Sequence, residues 1–94
     1  AYGPDLPNSV TLAEPFPNPA SGQVTLSFTI ARSSQARIEI FDMLGRRVQL
    51  VDLGHREAGS DSIRLDTSSL TPGNYLSRIT AGGRAAASSL IISR

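Results

Sequence analysis

Three residue types are missing from this chain of 94 residues: cysteine, tryptophan and lysine. Without cysteine, the fold has no disulfide framework and no thiolate metal site. The nine basic residues are all arginine, they are scattered along the chain, and the formal net charge is only +1. Because nucleic-acid-binding surfaces usually cluster basic residues on one face, we expect no binding to nucleic acid.

Long apolar segments are missing as well. No run approaches the roughly 20 residues that a membrane-spanning helix needs. The N-terminal stretch AYGPDLPNSV also lacks the basic start and the apolar block of an export signal. This absence would be unusual for a whole secreted protein, so we interpret the chain as the last domain of a longer one.

Residues suited to catalysis or metal binding are scarce. His55 is the only histidine and lies in the polar stretch GHRE, which disfavours zinc binding. The eight acidic residues form no close pair at a recognised spacing, and DSIRLD offers fewer oxygen ligands than calcium loops normally do. We therefore predict neither an enzyme nor a domain that holds a metal ion or cofactor.

Proline is concentrated at the start of the chain, where five of the six prolines precede residue 20. Pro15, Pro17 and Pro19 occupy alternate positions, and each fixes its own φ and favours an extended residue before it. We predict a linker over residues 1–15 and one domain over residues 16–94, with a weaker strand signal at residues 10–13 that could belong to the domain. The prolines would then hold the linker and the domain apart.

Strict alternation of apolar and polar residues begins after the prolines. Val24, Leu26, Phe28 and Ile30 alternate with polar residues, which is typical of a half-buried strand. Weaker patterns of the same kind predict later strands, separated by turn signals such as DMLG and AGGR. We interpret the polar stretch HREAGSDS as an irregular loop, and the chain then holds about seven strands.

Short strands at this spacing, with no helical period, predict an all-β fold: an antiparallel immunoglobulin-like β-sandwich of about seven strands. The stretch LTPGNY fits this fold, because a leucine, a Pro-Gly turn and Tyr75 at the start of a strand are typical of a tyrosine corner. In that corner the phenol bonds to backbone a few residues upstream. The alternative is that Tyr75 only fills the core.

Three stretches, in this order, resemble the type A C-terminal sorting domain of the type IX secretion system of Gram-negative bacteria. FPNPASGQVTLSFTI is similar to its opening motif, in which a tyrosine usually stands in place of Phe16. ARIEIFDMLGRRV is similar to its apolar strand and Gly-Arg hairpin. LTPGNYLSRITAGGRAAASSLIISR is similar to its closing segment, although Ser77 stands where a larger residue is common.

The resemblance implies a role as an address. Such a domain ends a larger exported cargo protein, folds in the periplasm and is recognised by the outer-membrane translocon. A sortase-like peptidase at the cell surface then removes it and can join the cargo to a lipopolysaccharide anchor. The residues that match the family's motifs are Phe16, Pro17, Asn18, Pro19, Asp42, Gly45, Arg46, Gly73, Tyr75, Gly82, Gly83, Ser93 and Arg94.

A second class of function remains open, namely a passive immunoglobulin-like spacer or an accessory carbohydrate-binding module of a modular secreted enzyme. Only Tyr2, Phe16 and Phe41 are available as platforms for stacking sugars, since Phe28 and Tyr75 are predicted to face inward. The two classes differ in how they interpret FPNP. In a sorting domain it marks where the domain begins, whereas in a spacer its prolines only end a linker.

Overall fold

The computed structural model describes residues 9–93, in which seven strands form two sheets and no helix occurs. The strands are β1 (Val10–Leu12), β2 (Gln23–Ile30), β3 (Ser34–Phe41), β4 (Arg47–Arg56), β5 (Gly59–Asp66), β6 (Gly73–Ala81) and β7 (Arg84–Ile92). One sheet has the order β1-β2-β5, the other has the order β4-β3-β6-β7, and neighbouring strands pair antiparallel. The predicted all-β sandwich is confirmed. Over the same residues, no helix is long and apolar enough to cross a membrane.

The core lies between the two sheets and follows the alternation of the sequence. Every second residue of β2, from Val24 to Ile30, is buried, while the residues between them face outward. The facing sheet contributes the buried side chains Ile38, Ile40, Ile79, Leu90 and Ile92. Inward-facing apolar residues of both sheets therefore supply the hydrophobic stabilisation of the fold.

Strand β1 precedes residue 16, where the sequence predicts that the domain begins. It pairs with the end of β2, with Val10 opposite Ile30 and Leu12 opposite Phe28. The side chains of Val10 and Leu12 pack, partly buried, against the core. The weaker strand signal at residues 10–13 thus corresponds to a real strand, whereas residues 1–8 of the predicted linker lie outside the described residues. The boundary itself stays a prediction.

The stretch HREAGSDS differs from its interpretation as an irregular loop. Strand β4 continues to Arg56 and β5 begins at Gly59, so only two residues connect them. Backbone pairing with β3 and β2 supports these polar segments. Because β4 and β5 are edge strands whose polar ends face solvent, they can form here without the apolar alternation that marks a half-buried strand.

The predicted Gly-Gly turn joins β6 to β7. Ala81 pairs with Arg84, and the two residues between them, Gly82 and Gly83, have φ of 58° and 79°. Two consecutive positive φ values are the requirement of the two-residue hairpin turn that matches strand twist. Glycine adopts this conformation without the steric cost of a Cβ atom.

Candidate recognition surface

The proline segment, residues 15–20, carries the chain from one sheet to the other. At its start the backbone of Phe16 exchanges two hydrogen bonds with Thr25 of β2, at 3.1 Å and 2.7 Å. At its end the N–H of Ala20 donates to the carbonyl oxygen of Ile91 at 2.7 Å, and the N–H of Ser93 donates to the carbonyl oxygen of Ala20 at 2.8 Å. The segment therefore covers the outer edge of β7 near its C-terminal end.

The side chain of Asn18 forms hydrogen bonds with the edge of β7 that the neighbouring prolines cannot form. Pro17 and Pro19 have no N–H to donate, and the peptide bonds before both are cis. The side chain of Asn18 takes the place of a paired backbone: its Oδ1 accepts from the N–H of Ile91 at 2.9 Å, and its Nδ2 donates to the carbonyl oxygen of Ser89 at 3.2 Å. The motif that opens the domain is thus bonded directly to the strand that ends it.

The proline segment is packed against the sandwich rather than held away from it. Pro15 is buried, and Ala20 is fully buried in the core. Pro15 and Ala20 therefore anchor the crossing between the sheets, which the sequence alone did not indicate, whereas Pro17 and Pro19 are exposed. How the segment positions an upstream domain stays a prediction.

The hairpin between β3 and β4 is closed by Asp42. Its Oδ1 accepts hydrogen bonds from the N–H groups of Leu44 and Arg46, both at 2.9 Å, and its Oδ2 accepts one from Nε of Arg46 at 2.9 Å. These bonds, led by the backbone bond from Arg46, hold the pKa of Asp42 below its ordinary value. Gly45 completes the turn with φ of 83°, a conformation that favours glycine.

Tyr75 forms the predicted tyrosine corner. Its phenol donates to the carbonyl oxygen of Thr71 at 2.5 Å and lies 3.1 Å from the hydroxyl of the same residue. The ring of Tyr75 is buried in the core, so it both fills space and ties the loop before β6 to the sandwich. The sequence left open whether this residue only fills the core, and the hydrogen bond decides in favour of the corner.

Most of the motif residues lie at one end of the sandwich, which we call the motif end and define by Asn18, the Asp42 hairpin, Gly73 and Ser93. Strand β3 ends and β4 begins there, and β6 begins where β7 ends, since Gly73 pairs with Ile92. Segments that are far apart in the sequence thus meet in space. Gly82 and Gly83 lie at the opposite end, and Arg94 lies outside the described residues.

A cluster of arginines around one buried carboxylate was not predicted from the sequence. Alternation along β3 puts Glu39 on the face opposite to the buried Ile38 and Ile40, yet only 3% of it is exposed. It accepts hydrogen bonds from Arg78 at 2.8 Å and Arg47 at 3.1 Å, with Arg37 at 3.7 Å, and Arg78 also lies over the Phe41 ring. The hydrogen bond from Arg78 is the main cause that holds the pKa of Glu39 below its ordinary value.

The cluster can be predicted only when the pairing of the strands is known. Glu39 lies directly opposite Arg78 in the register of β3 with β6, and opposite charges in that position attract. Without knowing that β3 and β6 are neighbours, alternation alone places Glu39 in water.

An apolar groove lies on the outer face of the second sheet at the motif end. Phe41, Met43, Leu76 and Ile91 line it, together with polar residues that include Arg78, and its volume is about 730 Å³. Met43 and its neighbour Leu44 at the hairpin turn are 73% and 77% exposed. Alternation did not reveal this groove, because its residues come from three strands and a turn.

Side chains that could bind a metal ion do not come together in the described part of the chain. Among residues 9–93 no group of three histidine, cysteine, aspartate or glutamate side chains could hold a metal ion. The imidazole of His55 lies 3.3 Å from the carboxylate of Glu57, and both side chains are exposed on the surface.

The predicted sugar platforms are also dispersed. Phe16 is exposed at the proline segment, whereas the ring of Phe41 is covered by the guanidinium of Arg78, whose centre lies 4.7 Å from the ring centroid. Tyr2 lies outside the described residues.

These features define a class of protein: a small immunoglobulin-like β-sandwich whose distinctive residues gather at one end and around one groove. Residues 14–93 match the model of a family described as the secretion system C-terminal sorting domain. The chain belongs to this family, and it is a C-terminal sorting signal of type IX secretion. No curated protein matches the chain in sequence.

Several solved structures match the chain, among them the following two. The crystal structure of dimeric latent PorU from Porphyromonas gingivalis matches 97% of this chain with a TM-score of 0.76 and 20% identity. At this identity the similarity concerns the fold alone, and the chain spans only 10% of the length of that protein. The match to the sulfur carrier protein SoxY from Chlorobium limicola f thiosulfatophilum covers 96% of this chain and 76% of that one, with 17% identity and a TM-score of only 0.42.

Proposed function

We propose that this domain directs a cargo protein, attached upstream in the same precursor, across the outer membrane, and that the type IX translocon reads the folded sandwich at its motif end. A sortase-like peptidase then removes the domain at the cell surface. The domain passes through the periplasm of a Gram-negative bacterium and has no substrate of its own. It is itself what the machinery acts on.

The observation that supports this proposal is the meeting of separate motifs at one end. Asn18 from the opening motif bonds to the last strand, and the Asp42 hairpin and Tyr75 corner are fixed beside it. Hydrogen bonds within each motif make this end rigid, so a partner can bind it with little loss of conformational entropy. Such a preorganised surface suits recognition, whereas a passive spacer needs none.

The experiment is a fusion of the domain behind a signal peptide and a reporter, produced in a host that has the type IX pathway. We expect the intact fusion to reach the cell surface or the medium. A fusion without Ser93 and Arg94 should remain in the periplasm, because the end of the last strand contributes to recognition.

The structure refines the design of that deletion. Removing Ser93 also removes its backbone bond to Ala20, which itself stabilises the edge of β7. A second fusion that lacks only Arg94 keeps this bond and therefore separates recognition from folding. Purified domains of all three lengths should first show similar thermal unfolding.

The alternative of a spacer predicts a different outcome. If the intact fusion stays in the periplasm while an established sorting domain exports the same reporter from the same host, this domain is not an address. The spacer would then take its place as the function.

A further inference from the structure

The hairpin turn between β3 and β4 exposes two large apolar side chains that the fold does not use. We call Met43 and Leu44 the tip; they are 73% and 77% exposed. Neither belongs to the hydrophobic core or packs against it. Turn positions of a soluble domain are normally polar or glycine, so an apolar pair here needs a reason other than folding.

Hydrogen bonds constrain the backbone of the tip. Besides the three bonds to the carboxylate of Asp42, the backbone N–H of Asp42 donates to the carbonyl oxygen of Arg46 at 2.9 Å, and that of Gly45 donates to the carbonyl oxygen of Asp42 at 3.0 Å. A rigid apolar projection binds with a smaller entropy cost than a flexible one.

The groove continues the apolar surface from the tip onto the sheet. Met43 lines it from one side, and Leu76 and Ile91 from β6 and β7 are 43% and 40% exposed within it. The surface thus has a projection and a hollow next to each other. A complementary partner would have a pocket that receives the tip and a protruding apolar side chain that fills the groove.

The charges around the groove indicate the chemistry of that partner. Arg37, Arg47 and Arg78 share the single carboxylate of Glu39, and all three guanidinium groups remain partly exposed. Asp52 lies opposite Arg37 on the same face, and Asp42, which lines the groove, is paired with Arg46. The four arginines of this face thus exceed its three carboxylates by one charge, and Arg78 itself lines the groove. A partner with carboxylates beside its apolar side chains is electrostatically complementary.

We propose, building on the proposed sorting function, that the tip and the groove dock on a protein component of the export machinery that presents apolar side chains flanked by acidic residues. A second copy of the domain is disfavoured, since it would bring two clusters of partly exposed arginines together. A lipid surface is disfavoured because it would leave the concave groove unfilled, and Arg46 beside the tip is already paired with Asp42.

Three exposed leucines provide a matched test in the reporter fusion. Leu44 lies at the tip and Leu76 in the groove, while Leu50 on β4 is similarly apolar and 47% exposed but lies outside the groove. We expect Leu44→Ser and Leu76→Ser each to reduce delivery to the surface by about tenfold, as substitutions at binding hot spots do. Leu50→Ser should change delivery by less than about twofold.

Folding is controlled separately. Each purified variant should unfold within a few degrees of the wild-type domain, because surface substitutions usually cost little stability. Met43→Ser serves as a second tip variant if Leu44→Ser proves less stable. The wild-type fusion is the reference throughout. If it is not exported, the result contradicts the proposed sorting function and not the docking site in particular.

Several outcomes would overturn the docking site while leaving the sorting function intact. Delivery of the tip and groove variants at the wild-type level is one, and an equal loss with Leu50→Ser is another. Binding of the purified wild-type domain, but not of Leu44→Ser, to vesicles of phosphatidylcholine and phosphatidylglycerol would indicate lipid instead. Self-association in sedimentation velocity that Leu44→Ser abolishes would indicate a second copy.

Discussion

At the scale of single residues, the phenol of Tyr75 stabilises the fold through a hydrogen bond as well as through burial. Tyr75→Phe removes the bond to the carbonyl oxygen of Thr71 and leaves that oxygen without its partner, so we expect a loss of about 1 kcal/mol in the free energy of unfolding. Tyr75→Ala should cost several times more, because it also leaves a cavity. Denaturant unfolding measures both, and equal stability of Tyr75→Phe and wild type would mean that the ring alone matters.

The carboxylate of Glu39 makes stability depend on pH. Its hydrogen bonds, that from Arg78 foremost, lower its pKa in the folded state below the ordinary value of 4.5. A carboxylate of this kind stabilises the fold fully above its unfolded pKa, and this stabilisation is lost as the pH falls through the lower folded pKa. We therefore expect the free energy of unfolding to decline in the acid range below pH 4.5.

The matched variant for this prediction is Glu39→Gln, which keeps the shape but not the charge. It should be less stable than wild type at neutral pH, because three arginines lose their common carboxylate. The free energy of unfolding of the variant should decline less steeply in acid than that of wild type. Some decline should remain, because the pKa of Asp42 is also lowered in the folded state. Parallel pH profiles of the variant and wild type would contradict the role given to Glu39.

At the scale of elements, the proline segment and β7 are coupled by one amide side chain. Asn18→Ala removes both bonds to β7, so we expect a loss of about 1 kcal/mol in the free energy of unfolding. The amide of Ile91 should exchange faster with solvent, whereas that of Leu90, which lies opposite Tyr75 in the register of β6 with β7, should not.

The control for Asn18 is Asn74→Ala. Asn74 is an exposed asparagine on β6 that lies directly opposite Ile91. Replacing it should leave both the stability and the exchange of Ile91 nearly unchanged. If the two variants behave alike, the Asn18 side chain does not hold the edge of β7.

These elements show which parts of the fold were predictable from the sequence. The alternation of β2 and the Gly82 turn depend on neighbours in the chain, so local patterns indicated both. The polar end of β4, the burial of Glu39 and the crossing at Asn18 depend on strands that are distant in the sequence. Periodicity carries no information about such partners, and this is also why the groove went unpredicted.

At the scale of the whole molecule, the open question is where the domain begins. The sequence predicts residue 16 and the family match begins at residue 14, yet β1 at Val10–Leu12 pairs with β2 ahead of both. Without β1, the first sheet would keep only β2 and β5, and two-stranded sheets are marginal by themselves. We therefore propose that the folding unit includes β1.

Comparing a chain of residues 9–94 with one of residues 16–94 tests this proposal. The shorter chain loses the partly buried side chains of Val10 and Leu12, which should lower the free energy of unfolding by about 2 to 3 kcal/mol. That is a large part of the stability of a small domain. Within the longer chain, Leu12→Thr should be destabilising, whereas Thr11→Ala, on the exposed side of β1, should not be. Equal stability of the two chains would instead place the start of the domain at residue 16, and β1 would then be an accessory strand that the export signal does not need in order to fold.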